Sequence, residues 1–362
     1  MGLNKIIYNH LPLFLKTMVF IKRKMHLPCG YGNGESFRVV LDKTFDTYLS
    51  ENERKDQVVI KKLTKDIVTC WLKYKALPYE YFLFNFRNRT DQERWEFETD
   101  VDRISTLLKI TTKDVFRKEI QNKYNFYLLA QPYFRRMAFK IDKQSSVADF
   151  ADFACKCGSV FIKPLEASKG KGAQKFTYHD ASHAKEYFLH LLETCPAWIV
   201  EECIHQSSEM AKWNESSVNT VRIPTFLNNG KFTVIWTRMR MGKRGAIVDN
   251  LGSGGIVVSV DPQTGIITSD GCDDSNNHFE EHPDSKLKFK GWQVPRWAEL
   301  LQTVEELHRT AFGKHVYIAW DFALTDNGWA LVEGNWGQLL GQQTATQVGV
   351  RRKFHELVGD HV

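Results

Sequence analysis

The sequence lacks several features that mark common protein classes. Its 362 residues include no uninterrupted run of 18 apolar side chains, so a transmembrane helix is not expected. The patterns GxxxxGKS/T and GxGxxG are absent, which argues against a P-loop or a Rossmann nucleotide site. The patterns GxSxG and HExxH are absent too, so neither a serine hydrolase nor a zinc protease is indicated. The seven cysteines are scattered and odd in number, which is typical of reduced thiols in the cytosol.

The composition is that of a globular protein in water, with 43% hydrophobic and 25% charged residues. The chain is long enough for two or three compact units, each with its own core. A net charge of +6 suits an anionic small molecule or a membrane surface, and it is too small to indicate a nucleic acid partner.

The segment Leu11–Lys24 is apolar and basic. Lys16 divides its apolar stretch and the basic cluster follows that stretch, so a signal peptide is disfavoured. Two interpretations stay open: a first helix packed on its own domain, and an amphipathic helix resting on anionic lipid. We therefore expect a cytoplasmic protein, with membrane association as the alternative.

Residue periodicity predicts an α+β protein whose first hundred residues are mainly helical. A helix starting at Asn122 is expected to be interrupted by Pro132. Asn228-Asn-Gly230 predicts a hairpin turn. The other predicted helices are 36–48, 56–74, 100–108, 113–121, 145–154, 180–193, 297–312 and 342–357, and the other predicted strands are 159–163, 176–178, 198–203, 217–227, 231–241, 256–260 and 265–268.

The stretch 315–335 reads as a β-hairpin that carries unusual polar residues. Asp321 lies inside the first apolar strand, Glu333 closes the second, and Asn335 follows on the same face as Glu333. A buried unpaired charge is costly, so these residues need a reason to be there. Two carboxylates and an amide oxygen suit Mg²⁺ beside nucleotide phosphates, whereas the alternative is a strand-end salt bridge with a turn asparagine.

Further polar features precede this hairpin, and each is a weak signal alone. Lys163 ends a strand, and the Lys/Gly-rich loop 168–172 could close over phosphate oxygens or be a surface turn. The predicted strand 198–203 carries two acids, Glu201 and Glu202, near its end, which could meet an adenine and ribose or simply run into solvent. Arg238 and Arg240 share a strand face, where guanidinium groups suit phosphate or carboxylate oxygens.

Taken in order, these features resemble the ATP-grasp superfamily, and in particular its sugar-transfer-associated branch. The resemblance spans residues 122–337, and the phrases that carry it are Asn122-Lys-Tyr, Phe161-Ile-Lys-Pro164, Ser217-Val-Asn-Thr-Val-Arg-Ile223, Asp249-Asn-Leu-Gly-Ser-Gly-Gly255, Ala319-Trp-Asp-Phe322 and Glu333-Gly-Asn335. It implies an ATP-grasp fold, in which two α+β subdomains clasp ATP. The implied bounds are a helical region over 1–110, a small subdomain with a glycine-rich flap over 111–203, and a large subdomain over 204–362.

The resemblance also implies roles for residues. Lys123 and Lys163 would hold the α- and β-phosphates, and Arg222 with Arg238 or Arg240 would face phosphates or the acyl intermediate. Mg²⁺ would be bound by Asp321, Glu333 and Asn335. The flap and the adenine or ribose contacts would come from Ser168, Lys169, Gly170, Gly172, either Glu201 or Glu202, and Ile204.

The implied activity is an ATP- and Mg²⁺-dependent carboxylate–amine ligase with an acyl-phosphate intermediate. Its expected substrates are a small carboxylate and an amine, either of which could be sugar-linked, in the synthesis of surface polysaccharide or related small molecules. Two alternatives stay open: a phosphotransferase acting on a hydroxyl, and a non-catalytic nucleotide-binding scaffold. Contact with a membrane or with polysaccharide assembly machinery would fit the basic N-terminal segment.

Overall fold

A computed structural model describes residues 11–26, 35–111, 113–166, 172–337 and 339–359. The chain forms two compact units. The first comprises 1–107, 275–277 and 338–362, and the second comprises 108–274 and 278–337. The implied subdomain bounds stay a prediction, because these units reflect compactness alone. No helix in the described ranges is long and apolar enough to span a membrane.

The first unit is helical, as its periodicity predicts. The predicted helices 36–48 and 56–74 are confirmed, and each begins one residue later because Ser36 and Asp56 act as N-caps that accept backbone N–H groups. Its helices are α1 (Leu13–Val19, continued by a π-helical turn Phe20–Lys24), α2 (Phe37–Tyr48), α3 (Glu51–Lys55), α4 (Gln57–Tyr74), α5 (Pro78–Leu83), α6 (Asp91–Trp95) and α7 (Asp100–Ile110), the last of which ends in the second unit.

The prediction of one helix over residues 342–357 is wrong, because this part of the chain forms two helices. They are α14 (Leu340–Thr346) and α15 (Arg351–Val358). Gln347 lies between them with a left-handed backbone (φ +55°), and its side chain donates hydrogen bonds to the carbonyl oxygens of Leu83 and Thr344. A left-handed residue cannot continue a right-handed helix.

The second unit begins with α8 (Lys113–Phe116, continued by a π-helical turn Arg117–Gln121) and α9 (Lys123–Phe134). The expectation that Pro132 interrupts α9 is only partly right. The helix continues through Pro132 and bends instead at Ala130, whose backbone is non-helical (φ −116°, ψ 16°). A proline disturbs the turn that precedes it, which explains a bend at this position.

A four-stranded antiparallel sheet follows, in the order β1–β4–β2–β3. Its strands are β1 (Ala138–Asp142), β2 (Ser159–Pro164), β3 (Gln174–Thr177) and β4 (Ala197–Glu202), and the helices packed on it are α10 (Val147–Cys157) and α11 (Ala181–Thr194). The periodicity did not predict β1. Alternate residues of β2 and β4, among them Val160, Ile162 and Val200, join the helices in one core, so the opposite face is left for polar side chains.

The larger sheet has the order β10–β9–β8–β7–β5–β11–β12, with β6 paired to β5. The predicted strand 231–241 forms two strands, because Trp236 adopts a left-handed backbone (φ +65°) between them. The turn at Asn229 and Gly230 is confirmed. The strands are β5 (Thr220–Asn228), β6 (Lys231–Val234), β7 (Thr237–Met241), β8 (Ile256–Val260), β9 (Gly271–Cys272), β10 (His278–Phe279), β11 (Tyr317–Thr325) and β12 (Gly328–Asn335), and the helices of this part are α12 (Ser208–Ala211) and α13 (Trp297–Ala311).

One face of the larger sheet forms the main core of the second unit. Val221, Ile223, Met239, Trp320 and Phe322 lie on this face and are fully buried. Because side chains alternate along a strand, the residues between them point to the other face of the sheet. That face carries the candidate site.

Candidate functional site

Asp321 lies at the centre of the polar face of the larger sheet. The strand register places it opposite Arg222 of β5 on one side and opposite Glu333 of β12 on the other. The register shifts after Asp321, because Phe322 lies opposite Leu331 and leaves Val332 of β12 as the extra residue of a β-bulge. Asn335 lies opposite Ala319, two residues from Glu333 on the same face. The structure therefore brings together the three residues for which the sequence predicts Mg²⁺ binding.

Asp321 is fully buried, and arginines neutralise its charge. Arg222 donates from Nε and Nη2 to the two carboxylate oxygens, and Arg240 donates from Nη2 to Oδ2 at 2.9 Å. Burial alone would raise the pKa of Asp321, but these guanidinium groups hold it well below its ordinary value. The same carboxylate raises the pKa of Arg222 against the effect of burial.

Glu333 is the more accessible of the two carboxylates, with 40% of its side chain exposed. Its Oε1 lies 3.6 Å from Nη2 of Arg222. The surrounding protein partly removes water from the Glu333 carboxyl group, and this desolvation raises its pKa. The negative charge of Asp321 raises the pKa of Glu333 further. A cation at this position would relieve the repulsion between the two carboxylates.

The donor set fits Mg²⁺ chemically, because all its ligand atoms are hard oxygens. Glu333 reaches the surface, whereas both oxygens of Asp321 accept hydrogen bonds from arginine in this structure. The amide oxygen of Asn335 accepts the backbone N–H of Gly337 at 2.6 Å, which fixes its orientation. Clusters of three or more histidine, cysteine or acidic side chains able to hold a metal are absent from the described ranges, so a cation here would rely on Asn335 or on substrate oxygens.

Arg240 is supported by two residues, Thr220 and Asp249, to which the sequence assigned no role. Thr220 Oγ1 accepts from Nη2 of Arg240 at 2.8 Å, and Asp249 Oδ1 lies 3.3 Å from the same nitrogen. Thr220 in turn donates its backbone N–H and its hydroxyl to Asp249 Oδ2. Asp249 opens the glycine loop 249–255, and that position in the sequence is the signal that could have identified it.

Arg238 lies directly opposite Arg222 in the β5–β7 pair. Burial and the positive charge of Arg222 lower the pKa of Arg238 to about 9. Of the two arginines between which the sequence could not choose, Arg240 is the one that contacts Asp321.

The smaller sheet contributes a second ionic group. Glu201 Oε2 accepts from Nη2 of Arg136 at 2.9 Å and from Nζ of Lys163 at 3.1 Å. Burial alone would raise the pKa of Glu201, but Arg136 and Lys163 lower it to about 2. Arg136 also donates to the backbone carbonyl of Leu331 in β12 at 2.6 Å, so it links the two sheets.

Strand alternation separates the two acids that end β4. Glu201 faces Lys163, whereas Glu202 accepts the backbone N–H of Met137 at 2.6 Å. Ile204 lies just beyond the strand and is half-buried. Arg136 was missed because it precedes β1, the strand that the sequence did not predict.

Lys123 begins helix α9 and is hydrogen-bonded to the end of β2 in the smaller sheet. Its Nζ donates to the backbone carbonyls of Pro164 at 3.0 Å and Leu165 at 3.3 Å. Burial lowers the pKa of Lys123; the charge of Lys163 lowers it further, and that of Glu333 raises it. Lys123, Lys163 and Glu333 are therefore close enough to interact electrostatically.

Most of the predicted flap, with Ser168, Lys169 and Gly170, lies outside the described residues. Gly172 is described and has a left-handed backbone (φ +72°). A Cβ atom there would lie 2.9 Å from Cγ of Pro164, so glycine is required both for the backbone angle and for the close approach.

The site thus combines a helix lysine (Lys123), a strand lysine (Lys163), two neighbouring carboxylates and an arginine cluster in one unit. The sequence matches the sugar-transfer associated ATP-grasp family profile over residues 117–358. The chain belongs to this family. The predicted resemblance and the predicted α+β ATP-grasp fold are therefore confirmed.

The chain is similar to several solved structures of ligases. D-alanyl-alanine synthetase A from Vibrio cholerae is 12% identical, with a TM-score of 0.41 over 67% of this chain and 66% of that chain. VanG D-Ala:D-Ser ligase from Enterococcus faecalis is 12% identical, with a TM-score of 0.43 over 67% of this chain and 62% of that chain. The ligase PsnB, solved with a precursor variant, Mg and ADP, is 10% identical, with a TM-score of 0.42 over 77% of this chain and 70% of that chain.

The chain therefore spans slightly less than two thirds of the length of the first two ligases. No curated protein matches it.

Proposed function

We propose that this protein is an ATP- and Mg²⁺-dependent ligase that joins a small carboxylate to an amine, one of them sugar-linked. The observation that carries the proposal is that one unit presents Lys123, hydrogen-bonded to the end of the strand that carries Lys163, together with the paired carboxylates Asp321 and Glu333. Such a site has cations for a triphosphate and oxygen ligands for a metal. Family membership supports ATP as the nucleotide, and the sugar link rests on the family description.

Lys163 and Lys123 are proposed to neutralise the α- and β-phosphates. Lys163 is presented by β2 and is oriented by its ion pair with Glu201, so its direction is set before ATP binds. Glu201 and Ile204 would lie near the adenine and ribose, and the flap 168–172 would close over the triphosphate. Arg222, Arg238 and Arg240 would then face the γ-phosphate and the acyl group.

Mg²⁺, held by Glu333 and Asn335 with Asp321 behind them, would neutralise phosphate charge and align the γ-phosphate. The proposed reaction has two steps. A substrate carboxylate oxygen attacks the γ-phosphorus, the bond from that phosphorus to the β,γ-bridging oxygen breaks, and ADP leaves. The amine then attacks the acyl carbon, the C–N bond forms, and phosphate leaves as the amine loses a proton.

The arginines explain how this chain would assist both steps without a protein nucleophile. Negative charge develops on the transferred phosphoryl group and then on the tetrahedral acyl centre. Arg222 and Arg240 are already fixed by Asp321, so little reorganisation is needed when that charge appears. Arg240 is fixed further by Thr220 and Asp249.

The test is to incubate the protein with Mg-ATP, hydroxylamine and a pooled extract of sugar acids and metabolites. Hydroxylamine traps an acyl phosphate as a hydroxamate, and ADP is measured in parallel. We expect both products, and we expect the Glu333→Gln variant to lose both by at least about a hundredfold. Glu305→Gln changes an exposed carboxylate on α13 in the same unit, and it should retain full activity.

Other results would change the conclusion. ADP with a phosphorylated metabolite and no hydroxamate would make the protein a kinase. ATP binding without any product from any pool would favour a nucleotide-binding scaffold. Product formation that survives in Glu333→Gln would contradict the assignment of the metal site.

A further inference from the structure

Helix α1, the first helix in the described part of the chain, exposes an apolar surface. Within residues 13–18, four large apolar side chains are exposed to solvent, namely Leu13, Phe14, Leu15 and Met18. Phe14 and Met18 lie one turn apart on one side of the helix and are 61% and 43% exposed. Clustered exposed apolar side chains of this kind commonly mark interaction surfaces.

Other residues of the same helical segment are anchored in the first unit. Thr17 is fully buried, and its hydroxyl lies 3.3 Å from that of Thr69 on α4. Phe20 packs edge-on against Phe37, with ring centroids 5.2 Å apart, and Met25 is buried in the same core. The sequence left open whether this segment packs on its own unit or meets a lipid surface. The segment packs on its own unit through Thr17, Phe20 and Met25, and it leaves Phe14 and Met18 exposed.

In the amino-acid sequence, the net positive charge is concentrated in the first 34 residues, which include α1. Residues 1–34 contain five lysines and arginines and no aspartate or glutamate, whereas the whole chain has a formal net charge of +6. The other 328 residues together therefore carry a net charge of only +1. Lys22 is exposed one turn beyond Met18, so a described cation lies next to the apolar surface.

We propose that the exposed side of α1 is a docking surface for membranes that contain anionic lipid. Apolar side chains would enter the boundary between head groups and acyl chains, and the cations would meet the lipid phosphates. Charge complementarity decides between occupants, because a second copy of this chain would bring the same positive segment against itself. The proposal does not depend on the proposed ligase activity.

The experiment is co-sedimentation of the full chain with vesicles of phosphatidylcholine, with and without about one-third phosphatidylglycerol. We expect binding to the anionic vesicles only, weakened at high salt because added ions screen the charges. Replacing Phe14 and Met18 together by serine should weaken binding about tenfold or more, and Lys22→Glu should weaken it severalfold.

Matched control variants test whether the loss of binding is specific to α1 or follows from removing any exposed apolar side chain or any positive charge. Val58→Ser removes an exposed apolar side chain from α4, and Lys231→Glu reverses an exposed lysine in the second unit. Both should bind like the wild type. Circular dichroism melts of every variant should match the wild type, because all the replaced side chains are exposed.

Three results would overturn the proposal. The first is that the protein does not bind anionic vesicles, the second is that it binds neutral vesicles equally well, and the third is that replacing Phe14 and Met18 leaves binding unchanged.

Sedimentation equilibrium compares the oligomeric state of the wild type with that of the Phe14/Met18 variant. A dimer that dissociates when Phe14 and Met18 are replaced would assign this surface to a second copy of the chain and would also overturn the lipid proposal.

Discussion

Replacing Glu201 by glutamine should destabilise the protein in a way that depends on pH. The carboxylate is buried between Arg136 and Lys163, which lower its pKa from an ordinary 4.5 to about 2. Glutamine keeps the size of the side chain but removes the negative charge. Two buried cations are then left without their counter-charge, which is costly.

The magnitude follows from proton linkage. Because the folded-state pKa is below the ordinary value, the carboxylate contributes its full stability above pH 4.5 and loses it as the pH falls towards 2. At about 1.36 kcal/mol per pKa unit, the contribution is roughly 3 kcal/mol at pH 7 and roughly half that at pH 3. The difference in unfolding free energy between wild type and Glu201→Gln should shrink accordingly.

Urea unfolding of both proteins at several values from about pH 3 to pH 7 measures this difference. Glu202→Gln is the matched control, because it replaces the neighbouring acid on the opposite face of β4 and should cost less than about 1 kcal/mol at any pH. The reasoning would be refuted by a Glu201→Gln effect below about 1 kcal/mol at pH 7, or by one that does not change with pH.

Three further predictions concern the core and the flap. Thr225→Val should lower the unfolding free energy measured in urea by roughly 2 kcal/mol, because Trp320 Nε1–H and His308 Nδ1 both lose their hydrogen bond to the buried hydroxyl. Thr225→Ser keeps the hydroxyl and should retain most of the wild-type stability. Burial lowers the pKa of His308 to about 4, so stability should fall by roughly 3 kcal/mol as the pH decreases from 6.5 to 4, and His308→Gln should flatten that dependence. Gly172→Ala should cost about 1–2 kcal/mol and weaken nucleotide binding in calorimetry, and unchanged binding would contradict a role for this glycine in the flap.

The sequence could predict contacts between residues that are close along the chain. Asp321 and Glu333 lie on adjacent strands joined by a short turn, so strand periodicity and turn chemistry suffice to pair them. The N-caps Ser36 and Asp56 marked their helices for the same reason, because a cap depends only on the next few residues.

Contacts between distant segments could not be predicted in this way. Arg222 is 99 residues from Asp321, and Arg240 is 81 residues from it. Their convergence follows from the strand order β7–β5–β11, and no local pattern encodes which strands become neighbours.

By itself the sequence determined the hairpin, most helices and strands, the family and the residue types of the site. Only the tertiary structure decided that Arg240 and not Arg238 contacts Asp321, and that Glu201 and not Glu202 pairs with Lys163. Alternation along a strand says which residues share a face, but the side from which partners approach depends on how the sheets pack. The structure also showed that Asp321 is neutralised by arginine, because a fully buried carboxylate needs a counter-charge that only long-range folding can bring to it.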